Sequence, residues 1–193
     1  IPPAMVDAFL AAEDDSFFKH GGIVVSGLAR AAMELITTGS NRSGGSTITM
    51  QVARNFFLTK RQGFTRKFNE ILLAFKIEEE LTKEAILSLY TNKIYMGNRA
   101  YGVGAAAQVY YGKNLDQLTL AEMAMIAGLP KAPSKYNPIA NPERALQRRD
   151  WILGRMLSLK KISKSEYHTA VNEQDKATYH GSIAKIDAAY AAE

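Results

Sequence analysis

Apolar residues recur along this chain at spacings of three and four, the period of helices with one buried face. Pro2 and Pro3 suit a helix start, and Met5, Phe9 and Leu10 form an apolar stripe after them. The pattern predicts a second helix from about Ser26 to Ile36. Thr38 to Gly45 is a stretch of turn formers that reads as a mobile loop. Thr47 to Leu58 reads as helix, Lys60 to Thr65 as a basic break, and Thr65 to Leu81 as a long helix. Another helix follows from Lys83 to Asn92.

The second half is punctuated by local signals. Thr119 and Glu122 make a capping box before an apolar run, which Gly128 and Pro130 end. Asn141 and Pro142 read as an N-cap and an N1 proline, opening a helix to about Leu159. Ser163 and Glu166 form a second capping box. After about Glu173 the chain turns Ala-rich and polar without a period, as a linker or terminal extension does. Strand signals are weak and repeats are absent, so the expected fold class is mainly α.

Composition narrows the partners. The chain has 193 residues, 47% of them hydrophobic, enough for one compact domain with room for a small subdomain. Its 24 Lys and Arg against 19 Asp and Glu give a net charge of +5. That balance favours an anionic partner: nucleic acid, anionic lipid or a phosphate ester. Cysteine is absent, which excludes disulfides, thiolate zinc sites and cysteine nucleophiles. No apolar run approaches the roughly 20 residues of a membrane span. The sequence starts at Ile1 without methionine and reads as an excised fragment, with any anchor lying upstream.

Three clusters carry candidate chemistry. The first runs from Glu13 to Gly22, with three acids between an apolar helix end and a glycine turn. A Glu beside apolar rings can be tuned as a general acid or base, and the same pattern also suits a solvated helix end. The second runs from Gly45 to Asn55, a glycine-rich loop entering a helix through Ser46 and Thr47. Free N–H groups and hydroxyls there suit a phosphate, or simply cap the helix. The Lys-Ser/Thr ending of a Walker loop is missing. The third holds Arg66, Lys67 and Glu70, where Arg66 and Glu70 share a helix face and can pair. With Arg54, Lys60 and Arg61 they concentrate positive charge near the glycine loop, as for a pyrophosphate or a nucleic-acid backbone. Ser16/Lys19 and Ser158/Lys161 match S-x-x-K without an accompanying Lys-Thr-Gly. His20, His168 and His180 are too scattered to suggest a metal site.

Taken in order, these clusters resemble the peptidoglycan glycosyltransferase (transglycosylase) domain of class A penicillin-binding proteins, with wording nearest the 1A type. The family's first motif, E-D-x-x-F-x-x-H-x-G, is matched by Glu13, Asp14, Phe17, His20 and Gly22. The second is matched by Gly45, Ser46, Thr47, Gln51 and Asn55, with Met50 in place of the usual Gln and Arg54 in place of Lys. The third, R-K-x-x-E, is Arg66, Lys67 and Glu70. The fourth appears as Lys83, Ile86, Leu87, Tyr90 and Asn92, with Ser88 and Thr91 replacing Glu and Leu. The segments from Asn92 to Gly97, Tyr101 to Gln108, Ala127 to Pro133 and Tyr136 to Pro138 resemble the family's later portions. The likeness covers roughly residues 1 to 170.

The resemblance implies a lysozyme-like, mainly α glycosyltransferase fold over residues 1–172, with a mobile jaw at about 38–68 and an extension over 173–193. It implies polymerisation of lipid II into a growing glycan strand. Glu13 would be the general base, and Glu70 a second catalytic acid that orients Arg66 and Lys67 or holds a divalent cation. Asp14, Phe17, His20, Ser46, Thr47, Gln51, Arg54, Asn55, Arg66, Lys67, Tyr90 and Asn92 would make up the substrate-binding set. Met50 and Ser88 each lack a polar group that the family has there. No cofactor is required, though Mg or Mn on the diphosphate is compatible with the chemistry. The implied partners are the lipid substrate, the membrane surface through the jaw, and moenomycin-type inhibitors, but not nucleic acid. The implied location is the outer, periplasmic face of the cytoplasmic membrane, with an upstream transmembrane anchor. Phe56, Phe57, Leu58, Phe64 and Phe68 alternate with basic residues, and either pack in the core or dip into lipid. The rival readings are a glycan-cleaving enzyme of the same fold, a basic nucleic-acid-binding module and a catalytically silent scaffold.

Overall fold

The structure, a computed structural model, describes residues 1–38, 45–58 and 64–181. The described residues form the helices α1 (Pro3–Glu13), α2 (Val25–Thr38), α3 (Ile48–Phe57), α4 (Phe64–Glu80), α5 (Lys83–Lys93), α6 (Val103–Tyr111), α7 (Leu120–Gly128), α8 (Pro142–Ser158) and α9 (Lys164–Asn172). Among them the one β pairing is an isolated antiparallel bridge between Tyr95 and Tyr101. The expected mainly α class holds.

Several helix starts follow from local chemistry. Thr47 caps α3, its hydroxyl accepting from the Met50 N–H. Thr119 with Glu122 and Ser163 with Glu166 close complete capping boxes on α7 and α9. Asn141 corrects one expectation. It precedes α8, but its side chain makes no capping bond and its amide donates instead to the Ser134 carbonyl at 2.9 Å. That bond holds the side chain on the preceding turn, and its oxygen does not reach the helix N–H groups. Helix α6 had no periodic signal because it is buried on most faces: Val103, Ala106, Ala107, Val109, Tyr110 and Tyr111 all face inward.

Two compact units share the chain. One comprises Ile1–Ala12 and the residues from Asn92 onward, and the other Glu13–Thr91. The expected jaw, 38–68, falls within the second unit, and its residues 39–44 and 59–63 lie outside the described residues.

In the first unit α7 is buried from Ala121 to Gly128 and packs against α8 and α9. Arg149, 3% exposed on α8, donates to the carbonyls of Val171 and Glu173 at 2.8 Å each and so satisfies the end of α9. Tyr110 donates to the Met96 carbonyl at 2.8 Å, and burial pushes its hydroxyl up to about 12. Residues 173–181, after α9, are tied down. Thr119 donates to Glu173 and Tyr111 to Asp175, while the amides of Thr178 and His180 donate to the carbonyls of Tyr110 and Val109.

Gly102 sits at φ +82°, where an added Cβ would lie 2.3 Å from the Asn92 carbonyl oxygen. Neither the backbone angle nor the contact admits a side chain. Gly102→Ala is therefore expected to cost about 2 kcal/mol, read as a lowered Tm in thermal unfolding followed by circular dichroism. An unchanged Tm would remove this close approach from the account.

Candidate active site

The second unit assembles most of the candidate residues around the start of α3, which packs on α4. Helix α1 ends at Glu13, so the three acids occupy the helix end and the turn after it. The Glu13 carboxylate accepts a hydrogen bond from Gln51 Nε2 at 3.0 Å, and Gln51 Oε1 accepts in turn from the Tyr90 hydroxyl at 3.3 Å. Tyr90 is 1% exposed and Gln51 is buried, so this relay fixes one carboxylate oxygen from the interior.

Asp14 ties the following loop to α3. One carboxylate oxygen accepts from the Ile48 N–H at 3.0 Å, at the positive end of the helix. Both oxygens lie 3.0 Å from His20 Nε2, while His20 Nδ1 accepts from the Gly22 N–H at 3.2 Å. Because Nδ1 is an acceptor, the proton of a neutral ring sits on Nε2 and is donated to Asp14. Thr47 completes the loop by donating to the Gly22 carbonyl at 2.5 Å. Gly22, at φ +91°, lets this turn lie against α4, where a Cβ would come 3.0 Å from the Ala74 carbonyl oxygen.

Burial holds the Asp14 carboxyl above the ordinary aspartate range, against the Ile48 N–H, His20 and Lys83, which all favour the carboxylate. The folded protein therefore takes up this proton at a higher pH than the unfolded chain. The group's contribution to stability is full below the unfolded value and is lost as pH rises through the folded one. Asp14→Asn removes that slope. It also leaves one amide oxygen to serve two donors, Ile48 N–H and His20 Nε2–H. A stability loss of about 2 kcal/mol is expected at pH 7, with a flatter dependence between pH 4 and 7 in urea titrations. A variant that keeps the parental slope would assign it to another group.

The cations gather on α4. Lys67 Nζ donates to Ser46 Oγ at 2.8 Å and to Glu70 Oε2 at 3.0 Å. Arg66 Nε faces Glu70 Oε1 at 3.4 Å without a hydrogen bond. The Glu70 side chain is 2% exposed, whereas those of Arg66 and Lys67 are 33% and 39% exposed. A buried carboxylate thus holds two cations whose side chains stay only partly buried. Arg54 lies half-buried in the last turn of α3.

Other expected residues take different places. Phe17 is 1% exposed, so its ring packs in the interior and presents no face to a ligand. Asn55 is exposed on α3, and Asn92 is exposed and belongs to the first unit. Met50 is fully buried, so this position faces the core. Lys83 was matched in the fourth motif without a site role. Its ammonium donates to the His20 carbonyl and to Glu78 Oε1, each at 2.7 Å, and sits 4.4 Å above the Phe17 ring. Glu78 also accepts from Thr49 at 2.5 Å. No local spacing joins positions 20, 49, 78 and 83; only the tertiary fold does. Among the described residues no group of three or more His, Asp or Glu is arranged to hold a metal ion.

A family model described as Transglycosylase matches residues 1–157. The chain is 58% identical over 193 residues to penicillin-binding protein 1A of Pseudomonas aeruginosa, 54% over 194 to that of Neisseria gonorrhoeae and 51% over 193 to that of Escherichia coli K12. Each alignment covers 100% of this chain, and 24%, 24% and 23% of these relatives respectively. A crystal structure of penicillin-binding protein 1A from Haemophilus influenzae matches with a TM-score of 0.53 at 30% identity, covering 100% of this chain and 19% of that one. The chain belongs to the transglycosylase family, whose domain in class A penicillin-binding proteins is a peptidoglycan glycosyltransferase. It spans about a quarter of the length of the curated relatives it matches.

Proposed function

We propose that this domain polymerises lipid II into β-1,4-linked glycan strands with inversion, releasing undecaprenyl pyrophosphate. The observation that carries the reading is the pairing, in one unit, of an interior-held carboxylate with a cluster of partly exposed cations. Glu13 is gripped through Gln51, while Lys67 bonds Ser46 and shares Glu70 with Arg66. Glu13 takes the proton from the 4-hydroxyl of the acceptor N-acetylglucosamine. That oxygen attacks the anomeric carbon of the donor N-acetylmuramic acid as the bond to pyrophosphate breaks. The electron pair leaves on the pyrophosphate oxygen, where Arg54, Arg66 and Lys67 neutralise it. A phosphate leaves readily, so the cations supply charge stabilisation and no protonating acid is needed. Hydrolytic glycosidases, by contrast, use two carboxylates.

Glu70 is assigned to orienting Arg66 and Lys67, since its oxygens already face both. A divalent cation, Mg or Mn, would arrive on the diphosphate as part of the substrate. Diphosphate-mimicking inhibitors of the moenomycin type would compete for the same cations. Phe56, Phe57 and Phe68 are 41%, 62% and 61% exposed and have basic neighbours in sequence, which supports contact with the membrane surface. No helix of the described residues is long and apolar enough to cross a membrane. Placement on the outer, periplasmic face through an upstream anchor is part of the proposal.

Product analysis tests it. Labelled lipid II in detergent should be converted to a ladder of longer strands. A purified strand shortened by the protein would instead favour a glycan-cleaving enzyme. Steeply salt-dependent duplex binding without polymer would favour a nucleic-acid module.

A further inference from the structure

Lys83 and Glu78 face each other at 2.7 Å across the turn between α4 and α5, with side chains 18% and 11% exposed. For a pair held that far from water, the loss of hydration offsets much of the attraction, so stability alone is a poor account of it. What the pair holds is more informative. The Lys83 ammonium donates to the His20 carbonyl at 2.7 Å and sits 4.4 Å above the Phe17 ring. Carboxylate, carbonyl and ring face thus match its three donors, and the buried Phe17 ring has a task as the floor beneath a cation. Glu78 Oε1 accepts from the Thr49 hydroxyl as well. Gly22 lies against the Glu78 stem, where an added Cβ would come 3.1 Å from Cγ. Phe17, His20 and Gly22 all belong to the segment that follows Glu13. Thr49 stands in the first turn of α3, just ahead of Gln51, which grips the Glu13 carboxylate.

These contacts close a ring within the second unit. It runs from Glu13 to Asp14, through His20 and Lys83 to Glu78, then through Thr49 along α3 to Gln51 and back to Glu13. Without Lys83 and Glu78 the segment is still tied to α3, by Asp14 on the Ile48 N–H and by Thr47 on the Gly22 carbonyl. Those bonds end on adjacent residues of α3 and act as one hinge, about which the segment can swing. The pair adds an anchor from a different element, the α4–α5 corner, and removes that freedom. We propose that Lys83 and Glu78 are positioning residues for the general base, locking segment 14–22 to the α4–α5 corner so that Glu13 meets the acceptor hydroxyl in one fixed direction. The proposal rests on the glycosyltransferase reading and extends it to two residues that act through Glu13.

Lys83→Met keeps the reach of the side chain and removes the ammonium. Polymerisation of lipid II should lose about 30-fold in kcat, with KM within about threefold of the parent. Backbone amides of segment 14–22 should exchange with solvent at least about tenfold faster, while those of α8 keep their protection. A pair that only stabilised the fold would lower the thermal transition and leave kcat alone. Rescue separates charge from packing. The sequence has no cysteine, so Lys83→Cys can be alkylated at that position only. Bromoethylamine restores an ammonium on a stem of matching length, and kcat should return to within about fivefold of the parent. Iodoacetamide adds a neutral amide and should restore nothing. Glu78→Gln conserves size and gives the same reading should Lys83→Met not fold, with about tenfold lower kcat and faster exchange in the same segment. Unchanged kcat, unchanged exchange, a loss confined to KM, or recovery with iodoacetamide overturns the positioning role. If the parent makes no polymer, the glycosyltransferase reading fails instead, and the exchange rates alone decide whether the lock exists.

Discussion

Glu13→Gln is expected to lower the rate of lipid II polymerisation by about 10³-fold or more, within the range a positioned general base supplies. The substitution keeps the side chain's size. Its amide oxygen can still accept from Gln51 Nε2, so the relay from Tyr90 survives. What is lost is the ability to take the acceptor's proton. The loss should fall on kcat, with KM for lipid II within about threefold of the parent, and with an unchanged thermal transition. Single-turnover polymerisation followed by gel separation of the strands measures it. A variant that retains a tenth of the parental rate would deprive Glu13 of the base role while leaving the activity itself in place.

Glu70→Ala should be the next most damaging change. This carboxylate is buried and lies between two cations adjacent in sequence, Arg66 and Lys67. Without it their charges repel, and Lys67 keeps only Ser46 as a partner among the described residues. A fall of about 10²-fold in kcat/KM is expected from the misplaced charge, with a stability loss of about 2 kcal/mol. Glu70→Asp should recover part of the rate, since Lys67 has the freer side chain and can follow a shorter carboxylate. Raised Mg²⁺ tests the competing role. If it restores the alanine variant to within about threefold of the parent, Glu70 serves the divalent cation and not the two side chains.

The readable parts of this molecule are those decided within a few residues. The capping boxes of Thr119 with Glu122 and Ser163 with Glu166 need only four residues each, and both form. The pairing of Arg66 with Glu70 was open to the i,i+4 rule, but the hydrogen-bonded partner proved to be Lys67, three positions away. Helix α6 was illegible because burial on most faces erases the alternation that marks a helix. Lys83 and Glu78 escaped the site for another reason. Their partners are His20 and Thr49, 63 and 29 positions away, and no local rule reaches that far. Phe17 was legible as part of a motif and misleading as a ligand contact. A motif records which residues occur together, and it does not say which of them face inward.

The segment after α9 bears on whatever the chain carries further on. Between Glu173 and His180 the backbone and side chains are bonded to α6, α7 and α8. Those residues are thereby subtracted from any tether. At about 3.3–3.6 Å per extended residue, the nine positions from 173 to 181 remove roughly 30 Å of contour. The last described bond of this segment is thus to α6, on the first unit, and not to the end of α9. Asp175→Ala with Glu173→Ala would remove the two side-chain bonds of that strap and leave its backbone bonds to hold it.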